Sequence, residues 1–193
     1  MTTSVRPGLP GAAHGLAAGR FAATNAAAER FFGQHADAIA LACRAMAERF
    51  QRGGRLLVCG EGAQRSDVAH VVVEFLHPVV VGKRALPAMA LPEPGTRRGE
   101  QALATLGRAG DILLTLTART LDARTRALVV GAQTRGLLTV VLCAEGGSGT
   151  EGADHLFAVP STDPCIVQET HEMLYHVLWE LVHVFFDHRT VSA

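Results

Sequence analysis

Residues 55–76 read RLLVCGEGAQRSDVAHVVVEFL, and this stretch decides the fold. The run Arg55 to Cys59 is short, apolar and followed by Gly60, the pattern of a buried strand feeding a loop. Ser66, an N-cap type, with Asp67 one position on, then predicts a helix to about Leu76.

The same strand, turn and helix rhythm continues on the C-terminal side. After a Val-rich stretch, RALPAMAL at 84–91 reads as a strand, PEPGTRRGE at 92–100 as a loop and QALATLG as the start of a short helix. DILLTLT at 111–117 is a third strand, followed by a helix from about Ala123 to Arg135-Gly136. LLTVVLC at 137–143 is a fourth, GGSGTEG a loop, HLFAVP at 155–160 a fifth, and a long helix from about Cys165 to Asp187 closes the series. On the N-terminal side, helix is predicted from Phe21 through Arg30 and again from His35 to Arg52, with Ile39, Ala42, Cys43, Met46 and Phe50 at helical spacing. Continuously apolar strands alternating with helices indicate a parallel sheet covered on both faces. The expected fold class is therefore α/β: a three-layer sandwich around a five-stranded, doubly wound parallel sheet, with long N- and C-terminal helices. Such sheets bind ligands beyond the carboxyl ends of their strands. That points to residues 60–66, 92–99, 117–123 and 144–152.

The 193 residues suit one domain, expected over 21–188, with tails at 1–20 and 189–193. Eighteen basic and eighteen acidic side chains cancel, which argues against a nucleic-acid partner that needs a basic face. No stretch approaches the roughly 18 uninterrupted apolar residues of a membrane span. The first nineteen residues lack the continuous apolar core of a secretory signal. Cys43, Cys59, Cys143 and Cys165 stand far apart, as suits reduced thiols. A cytoplasmic protein is expected.

Three groups of residues could carry chemistry. The turn Gly60-Glu61-Gly62-Ala63-Gln64-Arg65 leads into a helix whose free N–H groups could meet an anion, although it is neither a Walker loop nor G-x-G-x-x-G. A turn that simply needs glycine is the alternative. On the helix that follows, His70 and Glu74 lie four apart on one face with valines between them. A buried carboxylate needs a partner, either a metal ion or an arginine or lysine. On the last helix, Gln168, Glu169, His171, Glu172, His176, Glu180 and His183 interrupt an apolar pattern. Gln168 and His176 fall roughly 80° apart and two turns distant, near enough to converge from one side. Glu172 lies between them and could replace either, or these residues could form the polar face of a surface helix.

These pieces in this order resemble the sugar isomerase (SIS) domain family, and within it the phosphoheptose isomerases. The matching residues are Asp67-Val68-Ala69-His70 with Glu74, Asp111-Ile112-Leu113-Leu114, and Ile166-Val167-Gln168-Glu169-Thr170-His171 with His176. The resemblance covers about 21 to 187. It implies a zinc site at a subunit interface held by His70, Glu74, Gln168 and His176, and a homotetramer. It also implies an aldose–ketose isomerisation of a small-molecule substrate, a sugar phosphate, in which Glu74 moves a proton between adjacent carbons and His176 serves the oxygens. Such chemistry needs a base poised near neutrality and a cation to polarise the carbonyl.

The substrate half departs from the pattern. Where these isomerases resemble S-T-S-G-N-S, this chain has Thr117-Ala118-Arg119-Thr120-Leu121-Asp122, and G-N-G-G-S has become Gly60-Glu61-Gly62-Ala63-Gln64. The segment from Leu91 to Gly110 is also short for the group. Gly60, Glu61, Gly62, Gln64, Arg65, Thr117, Arg119, Thr120 and Asp122 are the expected substrate-binding residues. A carboxylate 4 Å from a phosphate costs on the order of 4 kcal/mol at an effective dielectric near 20. Arg65, Arg119 and Arg124 could take over phosphate binding, or pair with Glu61 and Asp122. Three readings stay open: a phosphoheptose-type isomerase with a rebuilt pocket, a metal-dependent enzyme on a different and possibly unphosphorylated molecule, and a non-catalytic assembly or regulatory protein.

Overall fold

The computed structural model describes residues 9–146 and 152–190. Its elements in chain order are α1 (Leu9–Gln51), β1 (Leu56–Gly60), a 3-10 turn (Gly62–Gln64), α2 (Arg65–Leu76), β2 (Ala88–Ala90), α3 (Arg97–Leu106), β3 (Ile112–Leu116), α4 (Ala123–Thr134), β4 (Leu138–Ala144), β5 (His155–Val159) and α5 (Pro164–Thr190). The five strands form one parallel sheet in the order β2-β1-β3-β4-β5. The chain turns away from β1 in both directions, which creates the crevice where open α/β sheets place their ligands.

Alternation along the central strands builds two cores. Leu56 and Val58 of β1, Ile112, Leu114 and Leu116 of β3, and Val140 and Leu142 of β4 pack with α1, α2 and α5. Leu57, Cys59 and Leu113 face α3 and α4, with Leu103, Leu128 and Ala132. Both faces are apolar because both are covered, which is why these strands read as unbroken hydrophobic runs.

At the other end of the sheet a buried ion pair ties β1 to β3. Arg55 grips Asp111 at 2.6 and 3.3 Å, and the backbone N–H groups of Arg55 and Arg108 donate to the same carboxylate at 2.9 and 3.1 Å. Burial alone would raise the Asp111 pKa; the Arg55 guanidinium and these amides outweigh it and hold the carboxyl below its ordinary value.

Some boundaries differ from expectation. The two predicted N-terminal helices are one, running unbroken through Gly33 and back over residues 9–20 that were read as a tail; residues 1–8 lie outside the described residues. Alanine is the best helix former, and Phe31, fully buried, is clasped edge-on by Phe32 at 5.2 Å, so packing holds the helix across the glycine. The helix α5 runs three residues beyond Asp187, past the start of the expected C-terminal tail. The strand expected over 84–91 shrinks to three residues, and α3 begins inside the expected loop because the Thr96 hydroxyl accepts the Gly99 N–H at 3.1 Å. Ser66 is not the cap of α2; its hydroxyl donates to the Ala63 carbonyl at 2.9 Å. Most of the GGSGTEG loop, 147–151, lies outside the described residues. No helix among the described residues is long and apolar enough to cross a membrane. All four cysteines are free, and burial pushes the Cys43 and Cys59 thiols up to about 12.

The helix α5 is pinned to the site end of the sheet by a buried polar pair. The His171 Nε2 lies 3.4 Å from the Cys143 carbonyl, and its Nδ1 lies 3.2 Å from the Gln64 amide. Donation from Nε2 makes Nδ1 an acceptor, and the Gln64 amide nitrogen, which has no other partner among the described residues, supplies the donor by a half-turn of the amide. Burial pushes the His171 pKa down to about 4, opposed only by the Cys143 carbonyl.

Two outcomes follow from these buried groups. Removing the carboxylate by Asp111→Ala leaves Arg55 half-enclosed without its partner and lowers unfolding free energy by about 3 kcal/mol in urea titrations. Between pH 4 and 6.5 the unfolded chain binds the His171 proton and the folded chain does not, so stability rises with pH across that window, by about 3 kcal/mol, and levels above it. In His171→Gln that slope flattens; an unchanged slope would place the pH dependence elsewhere.

Candidate metal centre and substrate pockets

The centre forms where α5 crosses α2. On α2, His70 and Glu74 stand one turn apart, with His70 Nε2 at 3.4 Å from Glu74 Oε1. From α5, His176 Nε2 approaches the same His70 nitrogen at 3.4 Å. The opposite ring nitrogen, His70 Nδ1, lies 3.0 Å from the Tyr175 hydroxyl and 3.9 Å from Glu172 Oε1. Donor atoms of His70, Glu172 and His176 all fall within 4.8 Å of one another.

These spacings suit a small divalent cation. Nitrogen and oxygen ligands at about 2.0–2.1 Å in a tetrahedron are separated by roughly 3.3–3.4 Å along each edge. The His70–Glu74 and His70–His176 separations, both 3.4 Å, match that edge. The Tyr175 hydroxyl at His70 Nδ1 holds the ring in place, and a cation bound at Nε2 would require Nδ1–H to donate to the Tyr175 oxygen. Burial, then the nearby carboxylates of Glu172, Asp67 and Glu74, drives the Tyr175 pKa upward, so its hydroxyl keeps its proton.

Gln168 stands at the edge of the cluster. Its Nε2 donates to Asp67 Oδ2 at 3.0 Å, which fixes the amide and leaves Oε1 as its free ligand atom. Burial raises the Asp67 pKa, and the Gln168 hydrogen bond works against it. Of the four predicted metal residues, then, His70 lies 3.4 Å from both Glu74 and His176, Gln168 is tied to Asp67, and the three side chains whose ligand atoms all converge within 4.8 Å are His70, His176 and Glu172, with Glu172 where Glu74 was expected.

The predicted substrate residues separate into groups. Gly60 makes the turn possible because a Cβ there would lie 2.9 Å from Val68 Cγ2. Gln64 is buried against His171 and is a packing residue, not a ligand contact, since the amide belongs to the tie just described. Asp122 caps α4, its carboxylate accepting the Thr125 N–H at 2.6 Å, and this holds its pKa low. Thr117 donates its hydroxyl to Glu61 in a short hydrogen bond and accepts the Arg119 N–H at 3.2 Å. Arg119 and Thr120 are exposed on the loop. A cavity of about 340 Å³ beside this loop is lined by Glu61, Gly62, Glu93, Ala118 and Arg119, and a larger one of about 450 Å³ by Gly60, Arg65, Glu93, Thr96 and Arg98.

Tyr175 and Glu93 stand at the candidate site although the sequence did not single them out. Tyr175 is the chain's single tyrosine, inside an apolar helix beside His176, and a buried hydroxyl demands a polar partner. That demand was a readable signal. Nothing in the sequence placed Glu93 opposite Gly62, whose N–H it accepts at 3.3 Å.

The SIS domain family profile matches residues 21–143. The phosphoheptose isomerase of Synechocystis is 31% identical over 80% of this chain and 87% of its own length. That of Solidesulfovibrio magneticus is 29% identical over 84% and 86%. A solved phosphoheptose isomerase from Francisella tularensis superposes with a TM-score of 0.77 at 24% identity, covering 89% of this chain and 98% of that one. One from Neisseria gonorrhoeae gives 0.74 at 22%, covering 88% and 98%. With the fold, the α2 and α5 motifs and the family profile in agreement, this chain belongs to the SIS domain family, with phosphoheptose isomerases among its relatives.

Proposed function

We propose that this protein is an aldose–ketose isomerase acting on a sugar phosphate, with zinc held by His70, Glu74, Gln168 and His176. The single observation that carries the reading is the convergence of His70 on α2 with His176 and Glu172 on α5, their ligand atoms within 4.8 Å of one another and Glu74 3.4 Å from His70, across two helices about a hundred residues apart in sequence. Relatives named phosphoheptose isomerase, matched over most of both chains, support it.

When bound, zinc supplies a positive charge that polarises the substrate carbonyl. In this reading Glu74 takes the proton from the carbon next to that carbonyl and returns it to the former carbonyl carbon. His176 moves a proton between the two oxygens, so hydrogen shifts within one molecule and no outside oxidant is needed. Tyr175 holds the His70 ring and Asp67 holds the Gln168 amide. Neither touches substrate in this scheme.

Val73 on α2 and Val79, Val80 and Val81 after it are exposed apolar side chains, which supports the homotetramer. A neutral chain with free thiols supports a cytoplasmic setting. A second reading, a metal-dependent enzyme on an unphosphorylated small molecule, is favoured by Glu61 and Glu93 lining the pocket beside the β3–α4 loop. It predicts zinc without turnover of a ketose phosphate.

Metal analysis of the purified protein should find roughly one zinc per chain, and less than about a tenth of that in His70→Ala and His176→Ala. Equal metal in all three samples removes the site. With a seven-carbon ketose phosphate as substrate, Glu74→Gln should lower kcat by at least about 100-fold; turnover undiminished in that variant refutes the proton-transfer role.

A further inference from the structure

Two cavities open at the carboxyl ends of the strands, and they differ in charge. The smaller, beside the β3–α4 loop, is lined by two carboxylates, Glu61 and Glu93, and one guanidinium, Arg119. The larger, between the first turns of α2 and the β2–α3 loop, is lined by two guanidinium groups, Arg65 and Arg98, and one carboxylate, Glu93. The shared Glu93 is engaged by the Gly62 N–H at 3.3 Å.

We infer that the larger cavity is the phosphate-binding site of this protein, with Arg65 and Arg98 as its two grips, and that the pocket beside the β3–α4 loop does not take the phosphate. The inference rests on the sugar-phosphate reading for the identity of the substrate, while binding of phosphate at the two arginines stands on the charge distribution itself.

Neither Arg65 nor Arg98 has an ion pair or side-chain hydrogen bond among the described residues. Arg20, Arg44, Arg52 and Arg55, by contrast, each meet a carboxylate. A guanidinium is a planar fork of donors that matches phosphate oxygens, and two unpaired forks on one cavity are matched by a tetrahedral dianion. At the smaller pocket a single guanidinium unpaired among the described residues, Arg119, faces two carboxylates, Glu61 and Glu93, and neutral donors of the adjoining loop are already used. The Thr117 hydroxyl is given to Glu61, and the Thr125 amide at the start of α4 is given to Asp122.

The wall that carries Arg98 is built tightly. A Cβ on Gly99 would lie 2.4 Å from the Glu93 carbonyl oxygen, so only glycine lets the first turn of α3 fold down on the loop before it. The Thr96 hydroxyl locks the same turn, donating to the Glu93 carbonyl at 2.7 Å and accepting the Gly99 N–H at 3.1 Å. Across the cavity, Arg65 opens α2, and Ala69, which also lines it, immediately precedes His70. The anion site and the metal centre thus share one helix.

Inorganic phosphate is titrated into the purified full-length protein by calorimetry, at ionic strength matched with chloride. Saturable binding by the wild type is expected, with Arg65→Gln and Arg98→Gln each raising Kd at least about 10-fold and Arg119→Gln changing it less than about 2-fold. Zinc content and thermal midpoint should match the wild type in all three variants. Loss of binding in Arg119→Gln with retention in the other two overturns the inference, as does a wild type that binds no phosphate. Phosphate bound at the two arginines without turnover of any ketose phosphate refutes the isomerase reading and leaves this site standing. Turnover with an unchanged KM in the Arg65→Gln, Arg98→Gln double variant does the reverse.

Discussion

The crossing of α5 over α2 is the contact on which the site depends. Every predicted metal residue belongs to one of these two helices, and neither helix presents a complete set. The crossing is held by polar ties in a mostly apolar seam: Gln64 to His171, Asp67 to Gln168, and Tyr175 to His70. Apolar packing would tolerate small slips along the helix axes, whereas these directional bonds set the register of one helix on the other. A shift of one residue along α5 would rotate His176 by about 100° and dissolve the cluster.

The carboxylates that looked hostile to an anion turn out to have different fates. Asp122 spends its charge on the amides that begin α4, so it stabilises a helix and presents no bare carboxylate to the loop. Glu61 remains at the pocket but takes the Thr117 hydroxyl, removing a neutral donor as well as adding an acceptor. The loop between β3 and α4 is therefore poorer in free donors than its threonine-rich sequence promised. Two unpaired cations, Arg65 and Arg98, stand on the other side of Glu93, against Arg119 alone on this side.

Much of this was legible from residue order. The strands were readable because both sheet faces are covered, so burial writes continuous apolar runs, and His70, Glu74 and His176 were readable because their chemistry is conspicuous inside such runs. The boundaries of α1 and α3 were not. Gly33 looked like a break because the packing of Phe31 was invisible, and PEPGTRRGE looked like a loop because turn residues can also cap a helix, as Thr96 does. Gln64 looked like a ligand contact because its burial against a histidine more than a hundred positions away leaves no local mark.

The sequence by itself determined the α/β class, the parallel sheet, the helices that bear the imidazoles and carboxylates, and the kinship with sugar isomerase domains, because these follow from local periodicity and residue chemistry. Tertiary structure alone decided which polar atoms were already taken. Whether a carboxylate caps a helix, accepts a hydroxyl or faces a cavity depends on partners 3 Å away in space and anywhere along the chain. No pattern of neighbouring residues records those partners.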